Sequence, residues 1–162
     1  RWYIFCRQKE KDKLRNCLMV MVRADTDIKQ RAYDWLAPKA HILRGMEESD
    51  RHIAFVKENT DEILGCLLFS DYDGHNIFVH LALDDPKVCN KENIRLMFDY
   101  AFNQCKCSRM TAMCVNGYKR NERLLAGVGF VKEGIVRKSM KVDGKWIDAA
   151  LYGILKEECT WV

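Results

Sequence analysis

The chain has 162 residues, 48% of them apolar and 31% charged, which suits one soluble domain able to bury its own core. Its net charge is +4, with Lys and Arg interspersed among Asp and Glu. That even spread argues against a polynucleotide binder and is compatible with a small anionic cofactor.

Taken in chain order, Trp2 to Cys6 is an aromatic and β-branched run, read as a first strand. Leu14, Cys17, Leu18, Met21 and Val22 recur at helical spacing and predict an amphipathic helix. Asp25-Thr26-Asp27 is a start signal for a second helix, Ile28 to about Leu36, ending near Pro38. Ile53 to Lys57 and Ile63 to Phe69 flank the turn Glu58-Asn59-Thr60-Asp61 and predict a hairpin. A second turn, Asp71 to Asn76, leads to a third strand, Ile77 to Leu83. Asn90 is a plausible cap for a helix from about Lys91 to Asn103, with Ile94, Phe98, Ala101 and Phe102 on one face. Arg109 to Val115 reads as a strand, Lys119 to Ala126 as a helix, and two long strands joined by Asp143-Gly144-Lys145 close the domain. Repeats, low-complexity stretches and linkers are absent, so residues 1–162 are expected to form a single domain.

Eight cysteines are Cys6, Cys17, Cys66, Cys89, Cys105, Cys107, Cys114 and Cys159. They include no Cys-x-x-Cys pair and no histidine at zinc-finger spacing, so no metal is expected, and reduced thiols packed as small hydrophobes are favoured over a disulfide framework. Cys105 and Cys107 lie near a helix end, where a thiol can be exposed. The longest apolar run, Cys17 to Val22, is far below the ~20 residues that a bilayer requires. No signal-peptide pattern is visible, and the expected location is cytoplasmic, away from membranes.

The stretch from Asn121 to Glu158 contains Leu124-Leu125-Ala126-Gly127-Val128-Gly129-Phe130, then Glu133-Gly134-Ile135-Val136-Arg137, then Tyr152-Gly153-Ile154-Leu155. This order of helix, Gly-Phe strand, polar turn and closing strand resembles the C-terminal half of the Gcn5-related N-acetyltransferases (GNAT), especially the branch that acetylates ribosomal-protein N-termini. With the rest of the pattern the resemblance extends over nearly the whole chain. It implies an α/β (α+β) GNAT fold: a mixed, mostly antiparallel six- to seven-stranded sheet with helices on both faces. Strands four and five would splay to hold CoA, and two helices after the first strand would form a lid over the acceptor site. The implied reaction is direct transfer of an acetyl group from acetyl-CoA to a primary amine, on a protein N-terminus, a lysine or a small amine, by a monomer or homodimer. The alternative is a non-catalytic acyl-CoA sensor or protein-binding module on the same scaffold.

In the family, the cofactor loop carries glycines that let backbone amides and a helix N-terminus approach the CoA pyrophosphate. Here the loop is Asp84-Asp85-Pro86-Lys87-Val88-Cys89-Asn90-Lys91-Glu92-Asn93, without glycine. Either the helix N-terminus still serves, with Lys87, Cys89, Asn90, Lys91 and Asn93 around the phosphates, or those residues form a solvated cap. The family's pantetheine-binding asparagine stands eleven residues before the Gly-Phe pair, a position that falls on Tyr118, with Asn116 and Asn121 nearby. Asn121 meets the cofactor or sits on the helix surface.

Acetyl transfer needs a deprotonated amine, a polarised thioester carbonyl and a protonated leaving thiolate. The resemblance assigns the carbonyl to backbone N–H groups near Leu81, Ala82 and Leu83. His80 is the candidate base: it lies mid-strand, with Val79 and Leu81 facing the other way, and histidine titrates near neutrality. The competing reading is a hydrogen-bonded core histidine. The family's acid, a tyrosine four residues before the Gly-Phe pair, is Leu125 here, and Tyr118 is the substitute by proximity. Cys114 reads as a packed thiol rather than a nucleophile. Ser139 and Asp148 resemble acceptor-end positions, Trp146 and Trp161 read as core or rim aromatics, and Arg137 as a structural ion-pair partner.

Overall fold

Apolar runs buried on both faces and bounded by polar turns build the centre of the molecule, in a computed structural model that describes residues 20–162. Strands β1 (Val20–Arg23), β2 (Arg51–Lys57), β3 (Ile63–Ser70) and β4 (Asn76–Leu83) form an antiparallel meander. Strands β5 (Arg109–Val115), β6 (Val131–Val142) and β7 (Lys145–Leu155) form a second antiparallel group. The seven strands join in the order β1-β2-β3-β4-β5-β7-β6. The β4–β5 joint is parallel, and it is short: Asn76, Ile77 and Phe78 pair with Arg109, Met110 and Thr111, and nothing beyond pairs. The expected splayed sheet is therefore present.

Helix α1 (Thr26–Leu36) covers one face, burying Ile28, Ala32, Tyr33 and Leu36 against Ala54, Val56, Cys66 and Leu68. Helix α2 (Lys91–Asp99), which widens into a π-helical turn over Tyr100–Gln104, covers the other with Phe98, Ala101 and Phe102. Helix α3 (Lys119–Gly127) leans on that same core through Leu125 and Val128. It stops where Gly129 takes φ +106°, a backbone conformation that favours glycine, and the turn delivers Phe130 into the core beside Phe98.

The N-terminal reading needs correction. Val20–Arg23 is a strand paired with β2 from Lys57 back to Ala54, so the predicted helix does not reach Met21 and Val22. Both side chains are 39% exposed, so they form no buried helical stripe, and the run Val-Met-Val suits a strand. Trp2 to Cys6 and Leu14 to Leu18 lie outside the described residues. Between β1 and β2 the structure has one helix, α1, followed by turns and irregular chain from Ala37 to Asp50, not a pair of helices. Asp25 sits at the α1 N-cap position, but its carboxylate takes two hydrogen bonds from Arg23 (2.9 and 2.7 Å) instead of capping. Among the described residues no helix is long and apolar enough to cross a membrane.

Candidate active site

Where β4 and β5 part, the β4 edge from Val79 to Leu83 loses its strand partner on the β5 side, while β5 continues along β7. The closed end of the fork is pinned by Thr111, whose hydroxyl donates to Asn76 Oδ1 at 2.7 Å. A cleft of about 590 Å³ fills the open end. Leu81, Leu83, Ile94, Met97, Leu124 and Phe130 are part of its wall, so it is chiefly apolar. Volume and lining of this kind suit a small-molecule site.

The glycine-free loop is built by side chains where the family uses glycines. Asp85 Oδ1 accepts from the Lys87 amide (2.8 Å), giving a single 3-10 turn over Pro86–Val88. Asn90 caps α2 by accepting from the Asn93 amide (2.9 Å), and the Asn93 carboxamide donates back to the Val88 carbonyl (2.8 Å). The Ile94 amide is taken by the Asn90 carbonyl, while those of Lys91 and Glu92 have no partner among the described residues. Two amides thus remain for an anion at the positive end of α2. One glycine does matter nearby: a methyl on Gly65 would stand 2.7 Å from Leu83 Cδ2 and 3.1 Å from Val88 Cγ1.

Of the sequence-predicted residues, Leu81, Ala82, Leu83, Cys89, Asn93, Tyr118 and Asn121 line the cleft. Lys87, Asn90 and Lys91 are exposed at the loop and do not. Tyr118, 51% exposed, stands at the start of α3, and Leu125 occupies the wall at the family's tyrosine position. Cys114 also lines the cleft; it is 5% exposed, and burial pushes its thiol up. The six described cysteines are free thiols; Cys107 is buried and Cys105 half-buried.

Sequence reading missed Arg120 and Arg123, which place two cations in the cleft wall from α3. Their signal was available in the charged run Lys119-Arg120-Asn121-Glu122-Arg123. Glu122 anchors that helix start by accepting from the Gly117 amide (3.0 Å) and pairing with Lys119 and Lys132; these groups hold its carboxyl at about 2. Also missed was Lys39, whose ammonium reaches both Asp84 oxygens at 3.0 Å and ties the chain after α1 to the end of β4. No local pattern links residues so far apart.

His80 does not line the cleft. It lies on the α1 face of β4, opposite Leu68, two residues before the cleft-lining Ala82 on the same face. That spacing is about 7 Å along the strand. His80 Nε2 is 3.0 Å from Ser70 Oγ. Burial pulls its pKa down, with Arg44 acting the same way and Asp71 and Asp50 opposing. Asp50 itself is fully buried; burial pulls its carboxyl upward, but two Arg44 hydrogen bonds of 2.8 Å and the Glu47 amide outweigh this and hold it below the usual range. His80 and Tyr118 are therefore on opposite sides of the fork.

In the closing hairpin, Asp148 and Ser139 both take part in hydrogen bonds within the strand pair. The Lys138 amide donates to Asp148 Oδ1 (2.9 Å) and the Ser139 hydroxyl to the Val136 carbonyl (3.0 Å), fixing a bulge in β6. The ion pairs of this strand are those of Glu133 with Arg109 and Lys132 with Glu122; Arg137 makes none among the described residues, contrary to expectation. Trp161 stacks on Phe98, and Trp146 is 53% exposed at the rim.

Solved structures share this fold. Spermidine/spermine N-acetyltransferase SpeG from Vibrio cholerae superposes with TM-score 0.70 at 14% identity, over 85% of this chain and 94% of that one. The ribosomal-protein-S5-alanine acetyltransferase from Vibrio fischeri gives 0.65 at 18%, over 88% and 95%. An acetyltransferase of the GNAT family from Bacillus anthracis gives 0.62 at 19%, over 86% and 96%. The fold is that of the Gcn5-related N-acetyltransferases. By sequence, the probable N-acetyltransferase YjcK of Bacillus subtilis is 30% identical over 69% of this chain, and the uncharacterized N-acetyltransferase p20 of Bacillus licheniformis 28% over 68%. Each match spans 65% of the relative's length. Their names support the GNAT family for this chain, while no protein-family model matches it.

Proposed function

We propose that this GNAT-fold chain transfers an acetyl group from acetyl-CoA directly to a primary amine. The observation that carries the reading is the fork itself: an unpaired β4 edge, an apolar cleft behind it, and free α2 amides with two arginines at its wall. Acetyl-CoA fits those parts. The apolar wall from Leu81 to Leu83 and Leu124 takes the pantetheine arm, Asn121 and Asn93 supply polar contacts, and the Lys91 and Glu92 amides with Arg120 and Arg123 take the phosphates. The β4 edge offers backbone N–H groups to the thioester carbonyl.

The acceptor enters from the α1 face, where His80 is the base that removes the amine proton, directly or through one water. A burial-depressed pKa keeps this imidazole neutral at physiological pH, the state a base requires. Tyr118, at the α3 start, is the group placed to return a proton to the departing thiolate. The acceptor class spans protein N-termini, lysines and small amines, with the ribosomal-protein N-terminal branch the nearest in sequence pattern. A second reading, acyl-CoA binding without turnover, is favoured by Leu125 standing in the cleft wall where the family has its acid.

Calorimetry with acetyl-CoA, followed by thiol release over a panel of peptide N-termini, lysines and polyamines, separates the readings. Micromolar binding with amine-dependent thiol release is expected. No binding at millimolar cofactor overturns both readings, and binding with no release across the panel favours the second. His80→Gln is expected to abolish the acid limb of the rate profile; an unchanged profile removes His80 as base.

A further inference from the structure

The α1 face of β3 and β4 holds a chain of three polar groups, Asp71, Ser70 and His80, of which the acetyl-transfer reading uses only His80. Ser70 is 2% exposed, and its hydroxyl donates to Asp71 Oδ2 at 2.6 Å. Asp71 adopts φ 51°, in the left-handed region that aspartate tolerates better than most residues, and in this turn its carboxylate is the partner of its own neighbour's hydroxyl. Ser70 pairs with Phe78 across the ladder, so His80 is its diagonal neighbour on the same face, and Nε2 comes to 3.0 Å from Ser70 Oγ.

The directions of these bonds follow from proton counting. A carboxylate only accepts, and a hydroxyl has one proton to give. Were Ser70 to give that proton to His80, two oxygen lone pairs would face each other at the 2.6 Å separation of Ser70 and Asp71. The proton therefore lies toward Asp71, and Ser70 can only accept from His80. Nε2 must carry the hydrogen, and Nδ1 is left with the lone pair. Among the described residues Nδ1 has no hydrogen-bond partner, and it is not among the buried polar atoms left without one.

We propose that Asp71 and Ser70 are positioning residues that hold His80 as its Nε2–H tautomer and so reserve Nδ1 as the atom that accepts the proton. The proposal rests on His80 being the base of the acetyl transfer described above. When Nδ1 takes a proton from the acceptor ammonium, the amine keeps its lone pair for attack, and the ring becomes an imidazolium bearing hydrogen on both nitrogens. The new charge is met through Ser70 by the Asp71 carboxylate, and the proton later leaves to solvent. The other charged groups facing the ring are Arg44, which opposes protonation, and Asp50, which is committed to Arg44. Asp71 is thus the carboxylate linked to the ring by an unbroken path of hydrogen bonds.

The test uses ring nitrogen and carbon NMR of labelled histidine in the full chain, together with rate profiles. Neutral His80 is expected as Nε2–H; Ser70→Ala mixes the tautomers and lowers kcat/KM at neutral pH about tenfold, a small part of a general base's contribution. Ser70→Thr restores both. Asp71→Asn, which tolerates the same backbone and still accepts through Oδ1, keeps the tautomer but moves the ring's titration and the acid limb together to lower pH. An Nδ1–H tautomer in the wild-type chain overturns the relay even if the acid limb depends on His80, as does a Ser70→Ala spectrum identical to wild type. If Ser70→Ala does not fold, Ser70→Thr and Asp71→Asn carry the same test. The expected tautomer with a rate profile indifferent to His80→Gln overturns the base assignment and with it the catalytic purpose of the relay.

Discussion

The two faces of the sheet around the fork are made by the same three strands and differ in almost everything else. On the α2 face, Phe55, Leu67, Val79 and Leu81 offer apolar surface to the cleft. On the α1 face, those strands carry His52, Ser70 and His80 beside the apolar patch that α1 covers, with Arg44 and Asp50 brought over by the irregular chain after α1. Period-two alternation lets one segment serve an apolar ligand arm and a proton-handling surface at once. Under the proposed reaction, the difference makes cofactor binding and proton transfer separable by single substitutions on neighbouring residues.

The sharpest way to break that separation is at Asp50. Removing its cation leaves that fully buried carboxylate unpaired, and Arg44→Ala is expected to cost ~3–5 kcal/mol in denaturant unfolding. If acetyl-CoA affinity fell in proportion while the variant was still folded, the faces would not be independent. On the cleft side, Gly65→Val forces Leu83 and Val88 apart, with an expected loss of ~1–3 kcal/mol and a clear drop in acetyl-CoA affinity by calorimetry. Cys66→Ala, next along β3 but on the α1 face, is expected to leave that affinity unchanged. Reversing both cleft arginines, Arg120→Glu with Arg123→Glu, should weaken acetyl-CoA roughly tenfold at low ionic strength and less in high salt, since exposed charges are screened.

The smallest effect concerns His52, which is 5% exposed with Nε2 unpartnered among the described residues. Burial holds its pKa below the ordinary histidine value, with Lys29 and Arg23 assisting and Asp25 opposing. The unfolded chain therefore binds the proton first as pH falls, so the stability contribution is full above about 6.5 and declines below it. His52→Leu is expected to remove that part of the acid sensitivity and to gain ~1 kcal/mol near neutrality by deleting an unsatisfied buried nitrogen. Thermal melts between pH 5 and 8 check both; an unaltered acid slope would assign the sensitivity to His80 alone.

Much of this was legible because the strands of the meander and the closing hairpin are apolar or β-branched runs with turn residues at their ends. The helix at Lys91 was readable from Asn90 and its apolar stripe, though its π-helical widening was not. The end of the apolar run, Val20 to Val22, misled because uninterrupted apolar sequence fits both periods, and only pairing with β2 decides for a strand there. At the site, alternation put His80 opposite Val79 and Leu81 as the structure does, yet nothing in the sequence joined it to Ser70 or Asp71. That contact depends on ladder register and on a left-handed backbone at Asp71, neither of which has a local signature. Lys39 with Asp84 and Arg44 with Asp50 were hidden for a related reason, since charged residues in irregular chain look alike until a partner holds them.

The three-pair joint between β4 and β5 makes the sheet two antiparallel halves fastened at one end. Residues 20–83 lie on one side of that seam and the strands after Arg109 on the other. A molecule lying in the fork touches both halves, so it acts as a second fastener at the end the backbone leaves open. Ligand binding of that sort stabilises the whole sheet by RT ln(1 + [L]/Kd), about 2.7 kcal/mol at a hundredfold excess over Kd. On the proposed reading the seam also sets His80 and the α1 surface on one half and α3 with its two arginines on the other, so such a ligand ties the two sets together.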